Sequence, residues 1–176
     1  MNRLRKEVTD QIKQDWKSDL SKYPPRPWLK DVSIIAIAWY RHGQHVDNMS
    51  EGILKGVSLK VYWIIFHLIE VIIGVSIPKS VKVGGGLRIH HFGNVFIHRN
   101  AVIGNNCILR QGVTLGNRYN DGLAPVLGDG VELGAYAQVL GDIYLGDFCK
   151  VGAMSVVLND VPDNKTVCGV PAKVLG

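Results

Sequence analysis

Large aliphatic residues recur at every sixth position over the second half of the chain. One run begins at Ile77, a second at Ile97 and a third at Leu127. An α-helix repeats its apolar positions about every 3.6 residues and a half-buried strand every second residue, so a sustained period of six is typical of neither. It is typical of hexapeptide repeats that wind into a parallel β-solenoid. The members are Ile77, Val83 and Ile89; Ile97, Ile103, Leu109 and Leu115; and Leu127, Leu133, Val139, Leu145, Val151 and Val157.

A second, smaller position accompanies the third run. Four residues after most of its aliphatic residues, the side chain is small or β-branched. We expect each hexapeptide to form one short strand and a turn, and three hexapeptides to close one triangular coil with the aliphatic residues on its axis. Residues 77–176 are therefore predicted to form one solenoid domain. The small positions are Val131, Ala137, Ile143, Cys149 and Ser155.

The first 76 residues lack this spacing and predict an α-helical region. Residues 2–20, 32–44 and 52–75 are helix candidates, and three prolines between residues 24 and 27 interrupt the chain after the first of them. The segment 52–75 is apolar on most faces. We expect it to pack against a subunit interface or against the base of the solenoid.

The apolar segment 52–75 also bears on whether the protein crosses a membrane and on its cellular compartment. Lys60, His67 and Glu70 interrupt it, which argues against a membrane-spanning helix. Residues 1–20 are charged throughout and do not resemble a signal peptide. We expect a cytoplasmic protein with at most peripheral membrane contact.

Composition and charge limit the classes of binding partner that we expect. The 176 residues are 47% hydrophobic and carry a formal charge of +5, which fits a folded protein with a modest basic excess. Without interleaved aromatic and basic residues, this excess suits an anionic cofactor or a membrane surface and predicts no nucleic-acid partner. Cys107, Cys149 and Cys168 show no CxxC spacing, so we expect structural thiols in a reducing compartment and no metal site.

Two places break the six-residue phase, and both predict external loops. Two extra residues separate Ile89 from Ile97, and residues 117–125 lack the pattern. The first break lies beside His90 and His91. In an extended strand these two would point to opposite faces, which argues against a shared metal. An imidazole there suits proton abstraction from an alcohol, and a hydrogen-bonded surface pair is the alternative.

Five short motifs stand out in the second half: RIHH at 88–91, GNN at 104–106, QGVTLG at 111–116, GAMSVV at 152–157 and GVPAKVLG at 169–176. Together they resemble the serine acetyltransferase branch of the hexapeptide acyltransferases. The resemblance implies a left-handed parallel β-helix, acetyl-CoA as co-substrate, and a homotrimer or a dimer of trimers. The first half resembles that family more loosely, through WYRH at 39–42.

The resemblance also implies which residues form the catalytic and acetyl-CoA-binding site. In that family a histidine after the third hexapeptide is the general base, and the matching residue is His91. Acetyl-CoA lies in a groove between neighbouring subunits, held by backbone groups of later coils and by a basic residue near the C-terminus. The matching residues are Gly134, Ala135, Gly152, Ala153 and Lys173.

Three departures from the serine enzymes concern the acceptor. Ser76 stands at the position of the acid that orients the base, and His90 at that of the acid that holds the serine ammonium. Leu123-Ala124 replaces the Arg-His pair that grips the carboxylate. Unpaired ions are costly in such a site, so free serine is predicted to be a poor substrate. Whether the orienting acid is absent or comes from elsewhere, for example from Glu70, stays open.

The paired histidines and TLGNR at 114–118 resemble the colanic-acid acetyltransferases, which act on sugars of exported polysaccharides. We therefore expect acetyl transfer from acetyl-CoA to a neutral sugar hydroxyl of a surface polysaccharide or its lipid-linked precursor. The expected acceptor contacts are His90, Asn94, Asn117 and Arg118, with Tyr119 as a further donor.

Three alternatives remain. One is serine O-acetylation for cysteine synthesis, and another is a non-catalytic scaffold, against which the base and the C-terminal motif argue. The last is a metal-dependent hydratase on the same solenoid, for which His90, His91 and His98 lack a suitable spacing.

Overall fold

The computed structural model describes residues 2–119 and 122–175 of the chain. Within these residues four helices precede a series of short strands. The helices are α1 (Asn2–Ser21), α2 (Pro27–Lys30), α3 (Ser33–Asp47) and α4 (Ile53–Ile73). The strands are β1 (Val75–Ser76), β2 (Lys82–Val83), β3 (Arg88–His90), β4 (Val95–Ile97), β5 (Val102–Ile103), β6 (Ile108–Arg110), β7 (Thr114–Gly116), β8 (Val126–Leu127), β9 (Glu132–Leu133), β10 (Gln138–Leu140), β11 (Tyr144–Leu145), β12 (Lys150–Val151), β13 (Val156–Val157), β14 (Thr166–Gly169) and β15 (Ala172–Val174).

The strands wind into a three-sided parallel β-solenoid of about five coils. The first side contains β1, β4, β7, β10 and β13; the second contains β2, β5, β8 and β11; the third contains β3, β6, β9, β12 and β14. β15 pairs antiparallel with β14 and ends the third side. The predicted fold, a parallel β-helix preceded by a helical region, is confirmed.

One aliphatic side chain from each hexapeptide fills the axis. Ile89, Leu109 and Leu133 pair in register at successive levels of the third side and are at most 1% exposed. The small positions are buried too, except the partly buried Ile143, and Ala137 and Ser155 are fully enclosed. Burying one such aliphatic side chain contributes about 1.5–3 kcal/mol. The repeated axis is therefore the main source of the solenoid's stability.

The helix bounds differ from the predicted ones by a few residues. α4 ends at Ile73 because Gly74 takes a left-handed φ of 70° and closes the helix. The chain then enters β1 directly, so the first strand of the solenoid begins at Val75, two residues before the predicted boundary. Sequence reasoning missed α2. Pro27 occupies its first turn, where a helix needs no N–H donor.

Helix α4 is buried along one side only. Tyr62, Phe66, Ile69 and Ile73 are buried, while its other side is apolar and exposed. By length and composition this helix could cross a membrane, and 22% of its most apolar window is buried within the protein. Interface helices pass the same test, so the absence of a membrane span stays a prediction. The exposed apolar residues are Ile53, Leu54, Val57, Val61, Trp63, Ile64, Leu68, Val71 and Ile72.

A buried ion pair joins the helical region to the solenoid. The Asp19 carboxylate accepts hydrogen bonds from Arg41 Nε at 2.8 Å and from the backbone N–H groups of Gly86 and Leu87 at 2.8 and 2.9 Å. Arg41 also donates to two backbone carbonyls at and after the end of β2. Burial raises the pKa of Asp19, against the opposing effect of Arg41 and the two amides. The pair thus fixes α1 and α3 on the segment that leads into β3.

Replacing Asp19 by alanine should strongly destabilise the protein, because it leaves the buried Arg41 guanidinium with only the longer contact to Asp15 at 3.4 Å and removes the acceptor of the Gly86 and Leu87 amides. Breaking such a buried pair typically costs about 3–5 kcal/mol. Urea unfolding followed by circular dichroism measures this loss. Asp10→Ala, on the exposed side of α1, is the control and should change the unfolding free energy by less than about 0.5 kcal/mol. Equal effects of the two substitutions would contradict the assignment.

Candidate active site

His91 lies where two extra residues bulge out of the solenoid. β3 ends at His90, His91 has a φ of 65°, and Gly93 follows with a φ of 104°. The regular turn resumes at Asn94, whose φ of 56° matches those of the residues at the same place in later coils. The axis has no room for the extra residues, so they project outward and leave His91 exposed. The predicted loop at this break in phase is a two-residue bulge.

The expectation that His90 and His91 face opposite ways is wrong. It assumed an extended backbone at both residues, whereas His91 is left-handed. Both histidines line one cavity of about 300 Å³, together with Lys30, Asp31 and Arg88. The segment between α2 and α3 therefore forms one wall of the cavity.

The helical region also fixes the strand that presents the histidines. The Tyr23 hydroxyl accepts a hydrogen bond from Ile89 N at 3.2 Å, and the Ser33 hydroxyl lies 2.8 Å from the Ile89 carbonyl oxygen as its donor. The two hydroxyls are 3.0 Å apart and buried. Ile89 precedes the two histidines, so this contact holds β3 in position at the cavity.

The turns that connect the third side to the first stack beneath His91, and we call this edge the His91 corner. Backbone hydrogen bonds link successive turns: Gly112 N to Gly93 O at 3.0 Å, Tyr136 N to Gln111 O at 2.8 Å, and Met154 N to Ala135 O at 2.8 Å. Gly134 and Ala135 lie at the third level, and Gly152 and Ala153 at the fourth. With a spacing of about 4.8 Å between parallel strands, the fourth turn lies about 14 Å below His91.

The His91 corner offers polar backbone to an extended ligand. Among the described residues, no acceptor meets the amide hydrogens of Ala135 and Ala153, and the buried Oε1 of Gln111 has no donor. A groove of about 230 Å³ runs beside these turns, lined by Gly134 and Gly152 among others. Free donors and an orphaned acceptor along one edge fit the amide groups of a pantetheine chain. Sequence reasoning gave Gln111 no role.

Lys173 lies at the far end of the same edge. It pairs with Cys168 across the antiparallel β14–β15 ladder, and β14 pairs in turn with β12, which leads into Gly152. Moving away from His91 along this edge, the Gly134 turn comes first, then the Gly152 turn, and then the cationic side chain of Lys173. The structure therefore aligns His91 and all five predicted cofactor-binding residues along one edge of the solenoid.

The other predicted acceptor residues lie at a different corner. Asn117, Arg118 and Tyr119 follow β7 in the turns between the first and second sides, which we call the Arg118 corner. Asn117 Nδ2 bonds to the Tyr119 carbonyl at 2.6 Å, and the Arg118 guanidinium lies 5.4 Å from the Tyr119 ring. The width of the first side separates this corner from His91. One chain therefore does not bring Arg118 and His91 together. Residues 120 and 121 of this loop lie outside the described residues.

Glu70 does not contact His91. Its carboxylate accepts a hydrogen bond from the Ser76 hydroxyl at 2.5 Å and lies 2.8 Å from His67 Nδ1. Within the described residues the His91 ring has no hydrogen-bond partner. An orienting group for His91 is therefore missing from the described part of this chain.

The thiols behave as structural groups. Cys107 and Cys149 are buried in the solenoid, Cys168 is half-buried, and all three are free. Burial raises the pKa of Cys107 to about 12 and also raises that of Cys149. Among the described residues no group of three His, Cys, Asp or Glu side chains is placed to hold a metal ion.

The chain is similar to known transferases. Residues 124–159 match the family model for the bacterial transferase hexapeptide (six repeats). The putative colanic acid biosynthesis acetyltransferase WcaB of Escherichia coli K12 is 45% identical over 126 residues, which span 70% of this chain and 78% of that protein.

Serine acetyltransferases are similar as well. The enzyme of Synechococcus elongatus is 40% identical over 111 residues, which are 62% of this chain but only 46% of that protein. The crystal structure of the Neisseria gonorrhoeae serine acetyltransferase superposes with a TM-score of 0.81 at 33% identity, covering 94% of this chain and 67% of that one. The chain therefore belongs to the bacterial hexapeptide-repeat transferases, in the branch that contains serine acetyltransferases and the colanic acid acetyltransferase.

Proposed function

We propose that the protein transfers acetyl from acetyl-CoA to a sugar hydroxyl in the biosynthesis of a surface polysaccharide, with His91 as the general base. One observation carries the proposal. The bulge places an exposed imidazole at the top of a corner whose lower turns offer free amide donors to an extended ligand. Acetyl-CoA would lie along the His91 corner, with its thioester towards His91 and its phosphates towards Lys173.

In the proposed reaction His91 takes the proton of the acceptor hydroxyl while the oxygen attacks the thioester carbonyl carbon. The new C–O bond forms, the C–S bond breaks, and the proton passes from His91 to the departing thiolate. An imidazole suits both steps because it exchanges a proton near neutral pH. Gly134, Ala135, Gly152 and Ala153 hold the pantetheine chain and Lys173 a phosphate.

The charges around the cavity favour a sugar over serine. The serine ammonium would face Arg88, Arg110 and His90. The one carboxylate lining the cavity, that of Asp31, is already bonded to Arg88 and Ser33. An uncompensated ammonium would lose its water without a partner. Serine O-acetylation remains the second candidate, because a solved serine acetyltransferase superposes on 94% of this chain.

We further propose a homotrimer, or a dimer of trimers, in the cytoplasm. The predicted acceptor residues are divided between the His91 corner and the Arg118 corner, and adjacent copies would bring the two together. The exposed apolar side of α4 supplies further surface for a subunit contact. A non-catalytic scaffold would need no such paired corners.

Replacing His91 by alanine should lower kcat by about 10²–10⁴-fold, because a positioned general base contributes that much. Release of CoA in the presence of an active glycan acceptor measures the rate. His42→Ala, which removes an exposed imidazole on α3 outside both corners, is the control and should retain near-normal kcat. Near-normal turnover of His91→Ala would refute the role of His91 as the general base, whereas no acceptor-dependent CoA release by the wild type would favour the scaffold.

Glycans should support CoA release where free serine does not. The comparison uses millimolar serine against a panel of neutral and acidic oligosaccharides at equal acetyl-CoA. An unpaired buried ion typically costs several kcal/mol, and each 1.4 kcal/mol corresponds to tenfold in affinity. Efficient turnover of serine with no active glycan would restore the cysteine-pathway assignment.

Light scattering should give a mass of at least three times 19.4 kDa at micromolar concentration. A sharper test co-expresses His91→Ala with Arg118→Ala under different affinity tags and isolates the mixed oligomer. If neighbouring copies share a site, some sites of the mixed oligomer combine the native His91 of one subunit with the native Arg118 of the next. Its activity should then exceed that of either variant alone. A stable monomer, or mixed oligomers as inactive as their parents, would contradict the shared site.

A further inference from the structure

Two arginines flank His90 on the outer surface of the third side. Arg88 lies two residues earlier on β3, and Arg110 lies directly opposite His90 in the β3–β6 register. Arg88 lines the histidine cavity, and Arg110 lines the adjoining groove one level below. Positive charge therefore converges where the cavity and the groove meet. Sequence reasoning assigned no role to either arginine.

Only some of the hydrogen-bond donors of the Arg88 guanidinium have an acceptor among the described residues. Its Nη2 pairs with Asp31 Oδ2 at 2.9 Å, and its guanidinium stacks 3.7 Å from the centre of the Tyr23 ring. Its Nη1 is buried and has no acceptor among the described residues. A buried donor without a partner is rare and costly, so it indicates an acceptor that arrives from outside the chain.

Arg110 is exposed and has no carboxylate partner in the described part of the chain. On the same side of the solenoid, Lys150 is paired with Glu132 at 3.1 Å, so a cation on this surface can be neutralised where the fold supplies an acid. Arg110 carries a full positive charge into the site.

The Asp31 carboxylate does not neutralise the positive charge of both arginines, because it pairs only with Arg88. Its Oδ1 accepts a hydrogen bond from the Ser33 backbone N–H at 3.2 Å and lies 2.7 Å from the Ser33 hydroxyl, and its Oδ2 pairs with Arg88. Burial lowers the pKa of His90, and Arg88 and Arg110 lower it further. These effects favour the neutral form of His90. Arg88 shares its charge with Asp31, so the unpaired positive charge of the site comes from Arg110.

We infer that the acceptor carries an anionic group, a carboxylate or a phosphate, beside the hydroxyl that is acetylated, and that Arg88 Nη1 and Arg110 bind it. The inference rests on the proposed function and specifies its substrate as an acidic or phosphorylated sugar. Guanidinium groups match the paired oxygens of carboxylate and phosphate, which accept two hydrogen bonds at once. A wholly neutral sugar would leave the charge of Arg110 without a counter-ion.

The phosphates of acetyl-CoA do not explain these arginines. If the thioester lies at His91, the phosphates lie several levels lower, towards Lys173. Arg110 is one level from His91, and Arg88 is on the same strand as His90. The anion that these two arginines bind therefore belongs to the acceptor.

Binding tests the site without any catalysis. Glucuronic acid, glucose 1-phosphate and glucose are titrated separately into the wild-type protein without acetyl-CoA, and the imidazole NMR signals of His90 and His91 are followed. At least one anion should bind about 10-fold or more tightly than glucose, and comparison of the two distinguishes carboxylate from phosphate. Arg110→Gln should weaken anion binding by about 10- to 100-fold and leave glucose unchanged. Arg3→Gln, which changes an exposed arginine on α1 away from both corners, should behave as wild type.

Kinetics then connect the site to the reaction. For a uronate-containing oligosaccharide, reduction of its carboxyl groups to alcohols, or Arg110→Gln, should raise the acceptor KM by at least about 10-fold. The KM for acetyl-CoA should stay the same. Equal binding of glucose and both anions, or an Arg110→Gln effect confined to the KM for acetyl-CoA, would overturn the inference. If the anions bind through Arg110 but no glycan is acetylated, the anion site stands and the proposed function fails.

Discussion

Every feature of the site depends on one packing constraint, that one aliphatic side chain from each hexapeptide must reach the solenoid axis. Ile89, Leu109 and Leu133 meet it at successive levels with almost no exposure. Because the strands stack at about 4.8 Å, turns from distant parts of the chain line up along each edge. Residues that do not fit the six-residue period cannot enter the axis and must bulge outward. His91 is exposed for that reason, and the turns at Ala135 and Ala153 lie below it for the same reason.

The helical region forms part of the candidate active site. The Asp19–Arg41 pair holds α1 and α3 on the segment before β3, and Tyr23 with Ser33 holds Ile89 itself. The same region contributes Asp31 to the cavity wall. The two histidines are thus presented by a strand fixed from both sides, by the next coil and by the helices.

The features to which we assign selection of the acceptor lie mainly where this chain departs from its repeat. The regular hexapeptides build a groove that suits a ligand common to the family, because backbone amides do not depend on side chains. The bulge and the α2–α3 segment lie outside the repeat, whereas Arg88 and Arg110 lie beside them on the regular strands β3 and β6. In the function we propose, the repeat supplies the donor site, and the interruptions together with these two arginines select the acceptor.

The sequence by itself determined the solenoid, its three-sided coil and the position of both loops, because a period of six is set by local geometry and survives in the one-dimensional pattern. Through family motifs it also predicted roles for His91 and for the Gly134–Ala135 and Gly152–Ala153 turns, and these roles stay predictions. It did not determine the direction of His91, because a left-handed φ beside a strand leaves no mark in the hydrophobic pattern. Only the tertiary structure separated Arg118 from His91 and brought Arg110 beside His90. Strand register places residues 20 positions apart side by side, and charge pairing across coils has no periodic signal along the chain.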